Sequence, residues 1–211
     1  MTRTDFAESR PQGGGRQRIM DTAAELFLRQ GYSETSLRHI AGAVGMKAGS
    51  LYYHFDSKDE LLTAILRRGI AVMVDAFSDG TDTTADMSAR DVLATHIRAH
   101  LGALFEHGPY TAAHVITFPT APRSVRDEIV PDRDRYEALW TDLLQDLVAT
   151  GEMAGDVDIG LSRLTLFGAM NTTIEWFDPE RGSLDELAET ITRQFWDGVA
   201  ANGAMRGRRA S

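Results

Sequence analysis

Apolar residues recur along this chain at intervals of three and four, and no stretch shows the clear period-two alternation of a strand. Such spacing lines apolar side chains along one stripe of an α-helix. It predicts an all-α chain of about nine helices. The first is expected over 16–30, with Ile19, Ala23, Leu26 and Phe27 facing inward and Gly31 as its stop. Next, Leu37, Ile40, Ala41 and Val44 share one helical face; Thr35 or Ser36 can cap its start and Gly45 can end it in the left-handed conformation. A further short helix is expected over 47–55, with Leu51 and Phe55 four apart and inward. Ser57 and Glu60 form a capping box that opens a long fourth helix, expected to run to about Phe77.

The polar run 78–88 predicts a loop, followed by a fifth helix over 89–107, a break at Gly108-Pro109 and a short segment over 110–117. Residues 122–129 and 132–150 predict a long helix kinked around Pro131. A loop over 151–160, an eighth helix over 161–177, a stop at Asp178-Pro179 and a capping box at Ser183 and Glu186 lead into a ninth helix ending near 201. Residues 1–15 and 202–211 read as flexible tails. The organised chain divides into 16–56, three short helices, and 57–201, a larger helical domain.

The edge of the third helix opposite Leu51 carries the informative chemistry. At ~100° per residue, Gly49 and Tyr53 point directly away from Leu51, with Ser50 and Tyr52 on the flanks and Lys47 at the entrance. Inside a helix Gly costs ~1 kcal/mol relative to Ala; close approach to another surface would offset that. A DNA major groove admits one helix and offers such a surface. The competing reading is a helical hairpin with no partner.

Composition changes the picture in three ways. There is no cysteine, so disulfides and thiolate catalysis are excluded. No apolar run reaches the ~18 residues of a membrane span, and the first ten residues lack the apolar core of a secretory signal, so a cytoplasmic protein is expected. The net charge of −9 conceals a division: residues 10–58 hold seven cations against four acids, or +3, which leaves −12 for the remainder. Both lysines, Lys47 and Lys58, lie in that segment, and a local positive surface on an acidic body steers one face toward phosphate. Arg10, Arg16 and Arg18 can approach a phosphate backbone or minor groove, or can simply be solvated.

The runs GYSETS, IAGAVG, SLYYHF and SKDELL, within residues 16–66, resemble the DNA-binding domain of the TetR family of bacterial repressors. Met46 departs from the pattern, because many members carry a small capping residue there. The resemblance implies double-stranded DNA as partner. Ala48, Gly49, Ser50 and Tyr52 would lie nearest base edges, Arg38 and Lys47 at base edges or phosphates, and Thr35, Tyr53, His54 and Lys58 on the backbone. It implies a fourth helix linking the domains, and a homodimer formed as a four-helix bundle by the last two helices. Leu184, Leu187, Ile191, Phe195 and Trp196 are the candidate interface. A ligand-responsive repressor on a palindromic operator follows.

The resemblance also implies a small-molecule effector held between helices four and eight. Tyr110, His114, Phe118, Tyr136, Trp140, Phe167, Asn171 and Glu175 are the candidate pocket, although the same residues describe an ordinary helical core. The segment NTTIEWFDPERGSLDELAET is similar to a branch sensing acyl-CoA thioesters in lipid or sterol breakdown. Arg123, Arg126, Arg133 and Arg135 suit CoA phosphates, but interleaved acids favour a self-paired surface. His96 and His100, four apart, are candidate metal ligands, which would make a metal-responsive regulator or a helical metal-assisted enzyme the alternatives. No HExxH, GxSxG or phosphate-binding glycine loop occurs, so no enzyme and no cofactor are expected.

Overall fold

In the computed structural model, residues 14–84 and 86–200 are described. They form α1 (Gly15–Gln30), α2 (Leu37–Val44), α3 (Ala48–Tyr52), α4 (Lys58–Asp82), α5 (Ala89–Phe105), α6 (Pro109–Thr117), α7 (Arg123–Ala149), α8 (Ile159–Asn171) and α9 (Leu184–Val199). Two short 3-10 turns follow α6 and α8, and the one extended pairing among the described residues is an isolated bridge between Met153 and Ala200. The all-α expectation holds. Residues 1–13 and 201–211, with Arg10 and most of both expected tails, lie outside the described residues.

Two boundaries differ from the periodicity, and one long helix follows it. First, α4 continues through the polar run to Asp82. Thr81 donates to the Phe77 carbonyl at 3.1 Å, and Ser78 and Asp79 are simply the solvated side of the last turns. The long helix α7 is one helix of 27 residues with Pro131 inside it. Pro131 lacks the amide that would donate to the Asp127 carbonyl, and both residues are exposed, where such a loss is tolerated best. Second, α8 stops at Asn171 and tightens into a 3-10 turn. There Thr172 and Thr173 hydroxyls donate back to Gly168 and Met170 carbonyls, at 2.8 and 2.5 Å, and compete with the helical ladder.

The chain forms two compact units. One joins the described part of 1–73 with 104–133; the other joins 74–103 with the described part of 134–211. In the first, Ile19, Ala23 and Phe27 of α1, Ile40 of α2, Leu51, Phe55, and Leu61, Leu62, Ile65 and Leu66 of α4 are buried together with Ala112 and Ala113 of α6. Tyr110 of α6 donates to the Asp21 carboxylate of α1, and Gln17 donates to the Tyr110 hydroxyl at 2.8 Å. Burial and the Asp21 carboxylate raise the Tyr110 pKa, so it stays a donor. At Gly69 the approach of α4 to α6 is so close that a Cβ would lie 2.6 Å from the Tyr110 carbonyl oxygen.

The second unit is built on an aromatic core. His100, Tyr136 and Phe167 form a triangle of nearly parallel rings, with centroids 5.8 to 6.1 Å apart, and Trp140 stands edge-on to Phe77, His96, His100 and Phe167. Three of its cations are held by carboxylates: Arg90 by Glu189, Arg98 by Asp185, and Arg163 by Glu137 at 3.0 Å.

Candidate nucleic-acid interface

The geometry of α2 and α3 follows from their ends. Ser36, not Thr35, caps α2, accepting from the His39 amide at 3.1 Å. Gly45 takes φ +74°, and the Met46 amide then donates to the Ala41 carbonyl at 2.8 Å, closing the helix in a Schellman-type turn. Arg18 of α1 donates to the Val44 carbonyl at 3.1 Å, satisfying another orphan group of that terminus. Lys47 is the N-cap of α3 and supplies no side-chain cap, because an ammonium has no lone pair to accept from an orphan amide.

Helix α3 is five residues long, so tertiary packing must hold it. Leu51 and Phe55 do so, at 0 % and 1 % exposure, each burial stabilising by ~1.5–3 kcal/mol. The Arg16 guanidinium lies 4.4 Å over the Phe55 ring and covers it. With its inner edge anchored, α3 turns the opposite edge to solvent. Tyr53 is 88 % and Tyr52 53 % exposed; Gly49 and Ser50 are exposed, and Ala48 and His54 half-buried. A Cβ on Gly49 would meet nothing within 4 Å of its own chain. Arg38 and Lys47 are exposed beside this edge.

Two expected contacts need revision. Thr35 is 0 % exposed and its hydroxyl donates to the Gly31 carbonyl at 2.9 Å, so its side chain is shut away from any phosphate. Ser36, one residue on, is exposed at the same helix start. Lys58 is half-buried: its ammonium donates to the Tyr32 carbonyl at 2.9 Å and sits 4.1 Å over the Tyr32 ring. Tyr32 in turn donates to Asp59. Lys58 therefore presents a cation fixed in place by the turn after α1. Ser57 accepts from the Glu60 amide at 3.0 Å, while Glu60 reaches back one residue further than a simple capping box, to the Asp56 amide at 2.7 Å.

The expected pocket residues fall in both units. Tyr110, His114 and Phe118 belong to the first unit, where His114 stacks on Phe118 and Arg133 lies 4.4 Å over the same ring. Tyr136, Trp140, Phe167 and Asn171 pack in the second unit around His100, and Glu175 is exposed. All but Glu175 and the half-buried Asn171 are buried. The candidate metal ligands have their ring nitrogens occupied. His96 uses Nδ1 on the Val92 carbonyl at 2.8 Å and Nε2 on Thr81 at 3.1 Å; His100 uses Nδ1 on Tyr136 at 2.8 Å and Nε2 on Asn171 at 3.0 Å. All four ring nitrogens are spent on protein partners, and burial lowers both pKa values, that of His100 to about 4. The candidate CoA-phosphate arginines are engaged too: Arg123 with Asp127 and Arg126 with the Pro119 carbonyl.

What the second unit does offer is a groove of about 630 Å³ between the last turns of α4, the first turn of α5 and the last turns of α7. Its lining includes Phe77, Val92, His96, Leu139, Leu143 and Leu147, none of which periodicity singled out as a pocket residue except His96, and that one as a metal ligand. The signal was present only as helix ends that leave apolar side chains unpaired.

On α8 an exposed stripe runs along one side: Leu161 at 64 %, Leu164 at 56 %, then Thr165, Gly168 and Ala169, with Trp176 at 63 % beyond the helix end. On α9, by contrast, Leu184, Ile191 and Trp196 are buried in their own subunit and Leu187 and Phe195 are half-exposed.

Comparison with known proteins agrees with this architecture. Residues 19–65 match the family described as bacterial regulatory proteins, tetR family, and residues 86–199 match the tetracyclin repressor-like C-terminal domain. The chain belongs to the TetR family. It is a DNA-binding transcriptional regulator with a ligand-binding domain, and not an enzyme. Among its relatives, the HTH-type transcriptional repressor KstR2 of Rhodococcus jostii is 26 % identical over 204 residues, covering 95 % of this chain and 98 % of the relative. The TetR-family regulator PfmR of Thermus thermophilus superposes with a TM-score of 0.73 at 26 % identity, covering 85 % and 97 % of the two chains. AibR, solved with isovaleryl coenzyme A and operator DNA, shares the fold with a TM-score of 0.74 at 22 % identity, covering 84 % and 95 %. No helix among the described residues is long and apolar enough to cross a membrane.

Proposed function

We propose that the protein is a cytoplasmic repressor that binds a palindromic operator as a two-fold homodimer and leaves it when a small hydrophobic effector enters the C-terminal domain. The observation that carries this reading is the outer edge of α3. A five-residue helix held by two buried apolar side chains exposes Gly49, Ser50, Tyr52 and Tyr53 with no partner of their own chain over Gly49. Ala48, Gly49, Ser50 and Tyr52 meet base edges, and Arg38 and Lys47 meet bases or phosphates. Ser36, Tyr53, His54 and Lys58 hold the backbone, which fixes register without reading sequence.

The exposed stripe on α8, Leu161, Leu164 and Gly168, supports a dimer face in which small residues allow close helix approach, with the half-exposed Leu187 and Phe195 of α9 beside it. Leu184, Ile191 and Trp196 support that face from inside the subunit. A two-fold dimer sets two recognition helices one DNA turn apart, ~34–36 Å. The effector favours another spacing, with a coupling of ~1–3 kcal/mol, or ~5–150-fold in affinity. A second reading of the effector, an acyl-CoA thioester, is favoured by the neighbour solved with isovaleryl coenzyme A and by the segment 171–190.

A gel-shift titration with the DNA upstream of the protein's own gene tests the reading. Specific, salt-sensitive retardation at nanomolar to micromolar protein is expected; binding no tighter than to unrelated DNA of the same length would overturn it.

A further inference from the structure

We propose that the groove at the ends of α4, α5 and α7 is the effector site and selects a lipophilic cation, an apolar body carrying one positive group. The word effector rests on the repressor reading above; binding in the groove does not.

The groove has three layers. Its floor is aromatic and buried: the Phe77 ring lies 4.2 Å from the His96 ring, and both stand edge-on or tilted to the fully buried Trp140. Its walls are the half-buried Val92, Leu139 and Leu143 with Leu147. Its rim carries Asp82, Asp142 and Asp146, all exposed. No lysine or arginine lines it. At about 630 Å³ it falls within the ~300–1,000 Å³ usual for small-molecule sites.

Charge decides the ligand class. None of the three rim carboxylates makes an ion pair among the described residues, whereas Arg90, Arg98 and Arg163 of the same unit are each bound to a carboxylate away from the groove. An anion entering here meets up to three negative charges and no compensating cation. The buried His96 is held neutral and gives it no help, since both its nitrogens are already bonded. A cation gains from the rim and from the negative faces of the floor rings. Its apolar body replaces water over Val92, Leu139 and Leu143. The triphosphorylated head of a CoA thioester has the wrong sign for this rim.

The test is direct binding to the full-length protein by calorimetry and by Trp140 fluorescence, with decyltrimethylammonium, decanoate and decanoyl-CoA below their micellar concentrations. The cation is expected to saturate and to bind at least tenfold more tightly than either anion, about 1.4 kcal/mol. The double substitution Asp142→Asn with Asp146→Asn should bring the three ligands to within about threefold of one another. Val92→Trp, with folding checked by circular dichroism, should weaken the cation tenfold by filling the groove. Equal or tighter binding of either anion, a preference that survives the double substitution, or no saturable cation binding overturns the proposal. DNA release is measured separately. A cation that binds with this selectivity but leaves a protein–DNA complex intact overturns the effector role. A protein that never retards DNA overturns the repressor reading and leaves the binding comparison standing.

Discussion

Replacing Gly49 by alanine should move stability and DNA affinity in opposite directions. A Cβ at Gly49 meets nothing within 4 Å, and its backbone φ is not positive, so the folded protein accepts a methyl group without strain. Helix propensity favours Ala over Gly by ~0.8–1.0 kcal/mol in a helix interior. Gly49 is the second residue of a five-residue helix, so about half of that, ~0.5 kcal/mol, is the expected gain. On DNA the same methyl occupies the space through which the helix edge approaches the groove floor. An unaccommodated methyl in a packed contact costs ~1–3 kcal/mol, or ~5- to 150-fold in dissociation constant. Gly42 is the control: it is exposed inside α2, a Cβ there also meets nothing, and it is not on the α3 edge. Gly42→Ala should raise stability and leave DNA binding unchanged. Urea denaturation and gel-shift titration of both variants supply the two readouts. If Gly49→Ala binds operator within twofold of wild type, the close-approach argument is refuted, and with it the reason for a glycine at that place.

Other outcomes follow from the same geometry. Lys58→Gln should weaken binding on all sequences alike and reduce the salt slope by about 0.9 per half-site, whereas Tyr52→Ala should change which sequence is preferred; slopes and competition titrations separate the two. Leu164→Glu, on the exposed stripe of α8, should yield monomers by light scattering while its circular dichroism is unchanged; a dimer of undiminished affinity removes α8 from the interface. Stability should fall with acid. Burial holds His100 at about 4 and His114 at about 3, below the ordinary value of 6.5, so below pH 6.5 the unfolded chain takes up protons that the folded one refuses. The contribution is fully present above pH 6.5 and is lost as pH falls toward 4, roughly 2 kcal/mol per ring at pH 5. Urea midpoints at pH 7 and pH 5 measure it, and His100→Gln should reduce the difference.

The α3 edge was legible because its signals are local. Gly45, the Leu51–Phe55 spacing and the Ser57 cap lie within a few residues of what they control, and the structure realises each. Thr35 shows the limit: both it and Ser36 carry a hydroxyl suited to a helix start, and only the packing of α1 against α2 decides which is enclosed. The pocket residues show a limit that is not local. Tyr110 and Trp140 look alike as buried aromatics, but the first is bound to Asp21 and the second stands in another unit against Phe77. Polarity misled at Ser78–Asp82, where a solvated helix face and a loop have the same composition. The groove was invisible because its lining comes from three helices, α4, α5 and α7, far apart in the chain.

The crossing at Gly69 has a mechanical corollary. With the Tyr110 carbonyl oxygen 2.6 Å and the His114 Cβ 3.0 Å from where a methyl would stand, α4 and α6 meet there almost backbone to backbone, like meshed teeth, with little slack to absorb play. A displacement of α6 is therefore passed on to α4 undamped, and the register of that crossing, set by the smallest residue available, governs how faithfully the first unit converts a push into a tilt.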